Sequence, residues 1–376
     1  MAIRFGVLST FPPTQCGLAT FSSALATHLV GAGADVSVVR VVDSLQPPVP
    51  LVSHQLVTGK PDEARDAAAA LNACDVALVQ HEYGIFGGPD GADVLDVLAR
   101  VRVPVITVLH TVLADPTAHQ HEVLARVVAA SSVTVTMTEA GRQRLIAGWG
   151  VDPESVTVIA HGARDNRVQD ESVTAPRTAP TVLTWGLLGE GKGIEWALEA
   201  LAGLSDLRPR PTYRIVGQTH PKVLERSGEA YRHRLERLVD RLGLGAVVQF
   251  DDRYLDVPTL QRIVAAADVV LLPYDSPDQV TSGVLTEAVV AGKPVVSTAF
   301  PHAVELLSGG AGILVPRRDP AAIGAGLRRV LTEPGLAGSM SAASRGLAPG
   351  LSWTAVAGQY LGLGAELLHA RTRSAA

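Results

Sequence analysis

The chain has 376 residues, of which 47% are hydrophobic and 18% are charged. This length predicts two domains, and the composition predicts large buried cores and excludes a disordered chain. A net charge of −5 argues against nucleic acid as a partner. No stretch approaches the roughly 20 apolar residues of a membrane span, and residues 1–9 lack the features of a signal peptide. We therefore expect a cytoplasmic protein with no transmembrane segment.

Short apolar runs alternate with helical patterns through the first half of the chain. Most runs are continuously apolar, which is typical of strands buried on both faces of a parallel sheet. The predicted strands are Ile3–Ser9, Asp35–Val42, Val76–His81, Val103–His110, Val133–Thr138 and Val156–His161. The predicted helices are Leu18–Val30, Asp62–Leu71, Ala92–Arg100, Ala118–Ala130 and Ala140–Gly148. This alternation predicts a doubly wound α/β domain.

The same alternation restarts after a polar break. Residues 165–180 have no apolar periodicity and read as a linker. The strands predicted beyond it are Thr181–Leu187, Tyr213–Gly217, Val247–Phe250, Asp268–Pro273, Pro294–Thr298 and Ile313–Val315. The predicted helices are Gly193–Leu201, Val223–Leu242, Pro258–Ala266, Gly283–Ala291, Val304–Leu307 and Pro320–Leu331. The sequence thus predicts domains at 1–164 and 181–350, followed by a C-terminal helical segment at 351–376.

Three predicted strands of the first domain end in histidine, at His81, His110 and His161. Ligands of open α/β sheets bind at the carboxyl ends of the strands, so these side chains predict a polar site at one edge. Glu82 and a glycine-rich loop follow His81. Metal binding is the competing interpretation, but residues so far apart lack the tight spacing of metal ligands. We expect no metal.

The first predicted strand is followed by a loop that ends at Gly17, where the first helix begins. A glycine at this point lets a ligand approach the backbone N–H groups at the positive end of the helix. An ordinary tight turn is the alternative. The loop is not a GxGxxG motif, so no dinucleotide cofactor is expected.

In the second domain, four glycines surround one of only four lysines in the chain, Lys192. Gly191 precedes it, and a predicted helix follows. Flexible backbone, a helix N-terminus and a point charge together predict a site for a diphosphate. A glycine-rich turn with a solvated lysine is the alternative. The spacing differs from GxxxxGK[ST], so kinase or ATPase chemistry is not implied.

A third glycine-containing loop leads into the helix predicted at Gly283–Ala291. The backbone N–H groups of Ser282, Gly283, Val284 and Leu285 are candidates to bind a phosphate or a sugar hydroxyl. Glu287 follows within the helix, and a carboxylate can accept paired hydrogen bonds from the vicinal hydroxyls of a ribose. A solvent-facing residue on an amphipathic helix is the alternative for Glu287.

These motifs resemble the retaining glycosyltransferases of the GT-B fold, specifically family 4. The resemblance covers nearly the whole chain. It is carried by four segments: Pro12–Ala19, Gln80–Gly84, Gly191–Gly193 and Ser282–Val296. It implies two Rossmann-like parallel-sheet domains that face each other across a cleft. It also implies that the C-terminal helix, Trp353–His369, crosses back onto the first domain.

The resemblance also implies roles for individual residues. The loop at Gly17 would lie by the donor phosphates and the acceptor, and His110 would sit beside the transferred sugar. Lys192 would pair with the diphosphate, and Glu287 would bind the nucleotide ribose. We further expect His81, Glu82 and His161 to contact the acceptor or the sugar.

Two departures from the family pattern concern the donor site. Leu187 stands where the family usually carries an arginine, so a second cation is needed, for which Arg253 is our candidate. Gln279 stands where the first of two paired glutamates is expected. An amide can bind a sugar hydroxyl but brings no charge.

The sequence therefore predicts a hexosyltransferase that moves mannose or glucose from a nucleoside-diphosphate sugar, of the GDP-mannose or UDP-glucose type, to an acceptor hydroxyl. The predicted catalytic residues are His110, Lys192 and Gln279. No cofactor is expected, and a glycan, a lipid or a small metabolite would fit as acceptor. A nucleotide-sugar epimerase of the same fold is one alternative. A degenerate transferase that only binds a nucleotide sugar is the other, motivated by Leu187 and Gln279.

Overall fold

In the computed structural model, which describes residues 2–60, 62–166 and 179–375, the chain divides into two compact units. The first comprises Met1–Gly162 and Trp353–Ala376, and the second comprises Ala163–Ser352. Residues 167–178 of the predicted linker lie outside the described part of the chain.

The first unit is built on a parallel sheet with helices on both faces. Its strands are β1 (Arg4–Ser9), β2 (Asp35–Val42), β3 (Val52–Val57), β4 (Val76–His81), β5 (Val105–Leu109), β6 (Val133–Thr136) and β7 (Val156–Val158). Their order across the sheet is β3-β2-β1-β4-β5-β6-β7, and every pairing is parallel. The helices are α1 (Gly17–Gly31), α2 (Glu63–Asn72), α3 (Val94–Leu98), α4 (Ala118–Ala129) and α5 (Glu139–Trp149). The strand order reverses between β1 and β4, which marks the switch point where ligands of such sheets bind.

The two faces of this sheet carry separate cores. Phe5, Leu78 and Ile106 point to the face covered by α1, whereas Leu8, Ala77 and Val79 point to the face covered by α2 and α3. The alternation follows from the two-residue period of a strand, and burial on both faces explains the continuously apolar sequences.

Helix α14 (Trp353–Ala375) belongs to the first unit and packs on α1. Its first residue, Trp353, is 5% exposed and lies against Gly162. A Cβ atom at position 162 would lie 2.3 Å from the Trp353 ring, so only glycine fits there without movement.

The second unit has its own parallel sheet. Its strands are β8 (Thr181–Trp185), β9 (Thr212–Val216), β10 (Val248–Asp251), β11 (Val269–Leu272), β12 (Val295–Thr298) and β13 (Gly312–Val315). The order β10-β9-β8-β11-β12-β13 reverses between β8 and β11. The helices are α6 (Ile194–Ala202), α7 (Pro221–Ser227), α8 (Ala230–Arg241), α9 (Val257–Ala266), α10 (Gly283–Val290), α11 (Pro301–Leu307), α12 (Pro320–Thr332) and α13 (Leu336–Leu351). One core joins β8, β9 and β11 to α6, α8 and α12.

The structure confirms the predicted fold class and corrects the predicted elements in four places. Strand β3 was not predicted. The predicted helix Val223–Leu242 is two helices, which separate at Gly228, where φ is +57°. A stretch rich in glycine and proline forms α13. The predicted strand Val156–His161 ends at Val158, which leaves His161 three residues beyond the strand.

None of the helices that the structure describes combines the length and the apolar character needed to cross a membrane.

Candidate functional site

The loops that follow β1, β4 and β5 bring the predicted residues of the first unit to one edge of its sheet. His81 is the last residue of β4, and His110 directly follows β5. The backbone N–H of His110 donates to the His81 carbonyl at 3.1 Å. Gly17 begins α1 after β1, and a Cβ atom there would meet nothing within 4 Å. The edge is therefore open at Gly17.

An aromatic cluster surrounds His110 and His161. The Phe21 ring on α1 contacts the His110 ring at 4.8 Å, the His161 ring at 5.0 Å and the Trp353 ring at 5.0 Å, all edge to face. The structure thus brings His110 and His161 together through a residue that the sequence did not single out. Phe21 gave no polar signal, because an apolar residue on a helix is normally a core residue.

Burial keeps these histidines neutral. It lowers the pKa of His110 to about 3, with smaller effects from His161 and His81. It also lowers the pKa of His161 to about 4 and that of His81 to about 4. A neutral imidazole can orient a sugar hydroxyl by hydrogen bonding, but it supplies no positive charge at neutral pH.

Gln80 fixes the orientation of His110. Its side-chain oxygen lies 2.7 Å from His110 Nε2, and Gln80 itself is fully buried in β4. Because the amide oxygen faces the ring, Nε2 carries the proton and Nδ1 is left as an acceptor. A glutamine after four apolar residues of β4 is the sequence signal by which this partner of His110 could have been identified.

Glu82 is held between two strand ends. Its carboxylate accepts the Tyr83 backbone N–H at 3.0 Å and the Thr111 hydroxyl at 2.5 Å. His81 is fully buried, and neither of its ring nitrogens has a hydrogen-bond partner among the described residues. His81 and Glu82 were both predicted to contact the acceptor substrate or the sugar. Glu82 is held in place by these hydrogen bonds, whereas the His81 ring is enclosed and packs on the Tyr83 ring at 5.3 Å.

A buried arginine of the first unit escaped prediction. Arg40 in β2 is fully buried and donates to the carbonyls of Pro12 at 3.0 Å and Pro47 at 2.9 Å. It therefore ties the loop between β1 and α1 to the loop after β2. Desolvation by burial lowers its pKa.

In the second unit, the loops after β8 and β11 pack directly on each other. Asp275 donates its backbone N–H to the Gly191 carbonyl at 2.9 Å. Gly193 has a φ of +65°, and a Cβ atom there would lie 1.9 Å from the Pro273 carbonyl oxygen. Glycine is required at this position, because any side chain would separate the two loops.

Lys192 lies on an aromatic platform. Its ammonium is 4.4 Å from the centroid of the Tyr274 ring, which stacks on Phe300 at 5.5 Å. A cation over an aromatic face is attracted by the ring quadrupole. The predicted phosphate-binding lysine is thus positioned by Tyr274, which the sequence did not single out.

Glu287 is partnered by Trp185, the last residue of β8. The indole N–H donates to Glu287 Oε2 at 3.2 Å. Burial raises the pKa of the Glu287 carboxyl group, whereas the Trp185 hydrogen bond and the positive charge of Arg164 act in the opposite direction. Glu287 is therefore a partly buried hydrogen-bonding group rather than a freely solvated one.

The start of α10 corrects the prediction for two of its four N–H groups. The Ser282 N–H donates to His302 Nδ1 at 2.8 Å, and the Leu285 N–H donates to the Ser282 hydroxyl at 3.3 Å. Both are used inside the protein. For the N–H groups of Gly283 and Val284, the described part of the chain supplies no partner. Gln279 donates from its side chain to the Thr281 carbonyl at 3.0 Å.

Arg253, predicted as the second cation, is paired within the protein. Its guanidinium donates to both carboxylate oxygens of Asp251, at 2.8 and 2.7 Å. Its charge is therefore largely compensated where it stands. Among the described residues, no group of three His, Cys, Asp or Glu side chains is arranged to bind a metal ion.

The match to a family model covers residues 165–346, and that model is described as Glycosyl transferases group 1. A D-inositol 3-phosphate glycosyltransferase of Streptomyces bingchenggensis is 29% identical over 302 residues, which are 73% of this chain and 64% of that protein. The chain therefore spans just under two thirds of that relative's length.

Solved structures reproduce the fold over almost the whole chain. Anabaena HepE, in complex with UDP and glucose, has a TM-score of 0.76 at 15% identity and covers 97% of this chain and 100% of that one. Sucrose-phosphate synthase from Thermosynechococcus elongatus has a TM-score of 0.76 at 19% identity, covering 98% and 100%. Both match two parallel-sheet α/β domains of the GT-B type. Residues 165–346, just under half of the chain, thus match the glycosyl transferases group 1 family model, and the chain as a whole has the GT-B fold.

Proposed function

We propose that this chain transfers a hexose from a nucleoside-diphosphate sugar to an acceptor hydroxyl, with retention of the anomeric configuration. One observation carries the proposal. The loops after β8 and β11, the two strands at the switch point of the second unit, present Lys192 and the N-terminus of α10. A cation and a helix N-terminus at a switch point suit a diphosphate.

The second unit would bind the donor. Lys192, beside Gly191, pairs with the diphosphate, and the N–H groups of Gly283 and Val284 add hydrogen bonds at the positive end of α10. Glu287 accepts hydrogen bonds from the ribose hydroxyls, with Trp185 holding one of its oxygens. Gln279 contributes an uncharged contact to a sugar hydroxyl.

The leaving group sets the main electrostatic demand. When the bond between the anomeric carbon and the phosphate oxygen breaks, negative charge collects on the diphosphate. Preorganised donors aimed at such charge commonly supply the largest catalytic effect. Because Asp251 compensates Arg253, we assign this role to Lys192 and to the start of α10.

Retention requires attack from the face that the diphosphate leaves. The acceptor oxygen forms the new bond to the anomeric carbon, the bond to the phosphate oxygen breaks, and that phosphate oxygen takes the acceptor proton. No protein nucleophile and no metal cofactor take part in this scheme. His110, neutral because of its burial, orients the sugar rather than stabilising charge.

The first unit would bind the acceptor through the edge that carries Gly17, Glu82, His110 and His161, with His81 beneath it. The complex of HepE with UDP and glucose supports a nucleotide sugar as donor, and the Streptomyces relative is named as a D-inositol 3-phosphate glycosyltransferase. UDP-glucose and GDP-mannose, the donor types expected from the sequence, are the first donors to test. A glycan, a lipid head group and a small metabolite are the classes of acceptor.

The test is release of nucleoside diphosphate from each donor, with and without acceptors of the three classes. We expect release that depends on an acceptor and that survives chelation of metals. Lys192→Ala should lower kcat/KM by about 100-fold, as for the loss of one preorganised donor. Lys60→Ala, which removes an exposed lysine of the first unit, is the matched control and should leave the rate unchanged.

Other outcomes would identify the alternatives. Conversion of the donor sugar to an epimer without any acceptor would indicate an epimerase. Donor binding without release under every acceptor would indicate a binding protein. Full turnover by Lys192→Ala would remove the diphosphate assignment.

A further inference from the structure

His302 is a buried residue that the sequence analysis did not identify. Its neighbour in space is the segment 279–282, which leads into α10. It lies near the start of α11, which follows β12 through Phe300, and it is 4% exposed. Twenty residues separate it from Ser282, so the contact between them exists only because β12 lies beside β11 in the sheet.

His302 is bonded to both ends of the segment 279–282. Its ring Nδ1 accepts the Ser282 N–H at 2.8 Å, and its own backbone N–H donates to the Gln279 carbonyl at 3.4 Å. Within the segment, the Gln279 side chain donates to the Thr281 carbonyl at 3.0 Å. His302 therefore holds the segment at both of its ends.

The His302 ring also affects which N–H groups at the start of α10 remain available to a ligand. Ser282 is the N-cap residue, and its N–H points back to His302 while its hydroxyl accepts the Leu285 N–H. The N–H groups of Gly283 and Val284 lie between these two fixed points. Their direction therefore depends on where His302 holds Ser282.

We propose that His302 is a positioning residue, which holds Ser282 so that the Gly283 and Val284 N–H groups address the diphosphate of the donor. The inference rests on the function proposed above. It requires Nδ1 to act as an acceptor, so the neutral ring carries its proton on Nε2. Losing this acceptor would leave a buried N–H unsatisfied and free the segment to shift.

Two substitutions separate the acceptor from the bulk of the ring. His302→Asn retains an acceptor, because the Asn side-chain oxygen can occupy the place of Nδ1. His302→Leu keeps a similar volume and removes the acceptor. His233→Leu is the control, since His233 is an exposed histidine on α8 of the same unit.

The measurement is the ratio of affinities for a nucleoside diphosphate and its monophosphate, using UDP with UMP and GDP with GMP in isothermal titration. A diphosphate reaches the start of α10 with both phosphates, so positioning of Gly283 and Val284 should affect it more. We expect His302→Leu to lower the diphosphate preference about tenfold. His302→Asn should stay within about threefold of the wild type, and His233→Leu should match it.

Other results would overturn the inference. If His302 only stabilised the fold, His302→Leu would lower Tm and weaken both nucleotides equally, and asparagine would give no rescue. An unchanged diphosphate preference in His302→Leu contradicts the inference alone. A wild-type protein that binds none of the four nucleotides contradicts the proposed function itself, so the two failures are distinguishable.

Discussion

The indole N–H of Trp185 donates a hydrogen bond to the Glu287 carboxylate at 3.2 Å. Trp185 ends β8, and Glu287 lies one turn into α10. Burial raises the pKa of this carboxyl group, and the hydrogen bond opposes that rise. The Trp185 hydrogen bond therefore favours the ionised form of Glu287, the residue that we propose binds the ribose.

Trp185→Phe should weaken donor binding about tenfold, because it removes the hydrogen bond, of roughly 1.5–3 kcal/mol, that holds the Glu287 carboxylate ionised and in place for the ribose. Without the bond the pKa of Glu287 rises further, so affinity should fall at a higher pH than in the wild type as the solution is acidified. The measurement is a titration of nucleoside diphosphate between pH 5 and 8. Trp196→Phe is the control, since the buried Trp196 indole nitrogen has no partner among the described residues.

Substitutions at Tyr274 should separate the ring from the hydroxyl. Tyr274→Phe keeps the face that carries Lys192 and removes a hydroxyl that is unpaired within the described structure, so donor affinity should stay within about twofold. Tyr274→Leu removes the cation–π contact, which contributes about 0.5–2 kcal/mol, and should weaken donor binding by about twofold to 30-fold. Equal affinities for the two variants, measured below both Tm values, would show that the ring does not position Lys192.

Arg253→Ala should change donor affinity by less than about threefold. Asp251 holds the guanidinium through both carboxylate oxygens, and 69% of the Arg253 side chain is exposed. A charge that is already paired and exposed to solvent contributes little to the binding of a nearby anion. A loss as large as that of Lys192→Ala would restore Arg253 as the second cation at the diphosphate.

The stability of the fold should fall as the pH drops from 6.5 toward 4. The pKa values of His81, His110 and His161 lie at about 4, 3 and 4 in the folded chain, below the ordinary histidine value. The unfolded chain therefore binds more protons in this range, and stability is complete only above pH 6.5. Each histidine should lower the free energy of unfolding by about 2 kcal/mol at pH 5 relative to pH 7.5.

Urea unfolding at pH 7.5 and pH 5 measures this effect. His81→Leu should reduce the pH dependence by about a third, because it removes a buried imidazole that has no hydrogen-bond partner in the described structure. The same pH dependence in His81→Leu and in the wild type would mean that the pKa of His81 does not differ between the folded and the unfolded chain, which would contradict this account.

The sequence predicted most of the two sheets, because their strands are buried on both faces and read as unbroken apolar runs. It missed β3, where Ser53, His54 and Gln55 interrupt the pattern of an edge strand. It missed α13 because glycines and Pro349 lower helix propensity, and packing on α10 and α12 compensates for that loss.

The candidate site was predicted where a residue signals its own chemistry. Lys192, Glu287 and the strand-end histidines follow from strand ends, glycine loops and charge. Tyr274 and His302 could not be predicted in the same way, because their contacts join segments that only the strand order brings together. The use of the Ser282 N–H by His302 depends on that juxtaposition.

The central claim is that a nucleoside-diphosphate sugar binds the second unit around Lys192, the start of α10 and Glu287. A crystal structure with the nucleoside diphosphate that binds most tightly tests it directly. We predict the diphosphate on Lys192 and on the Gly283 and Val284 N–H groups, with the ribose hydroxyls on Glu287. A nucleotide bound elsewhere on the chain, with these groups untouched, would contradict it.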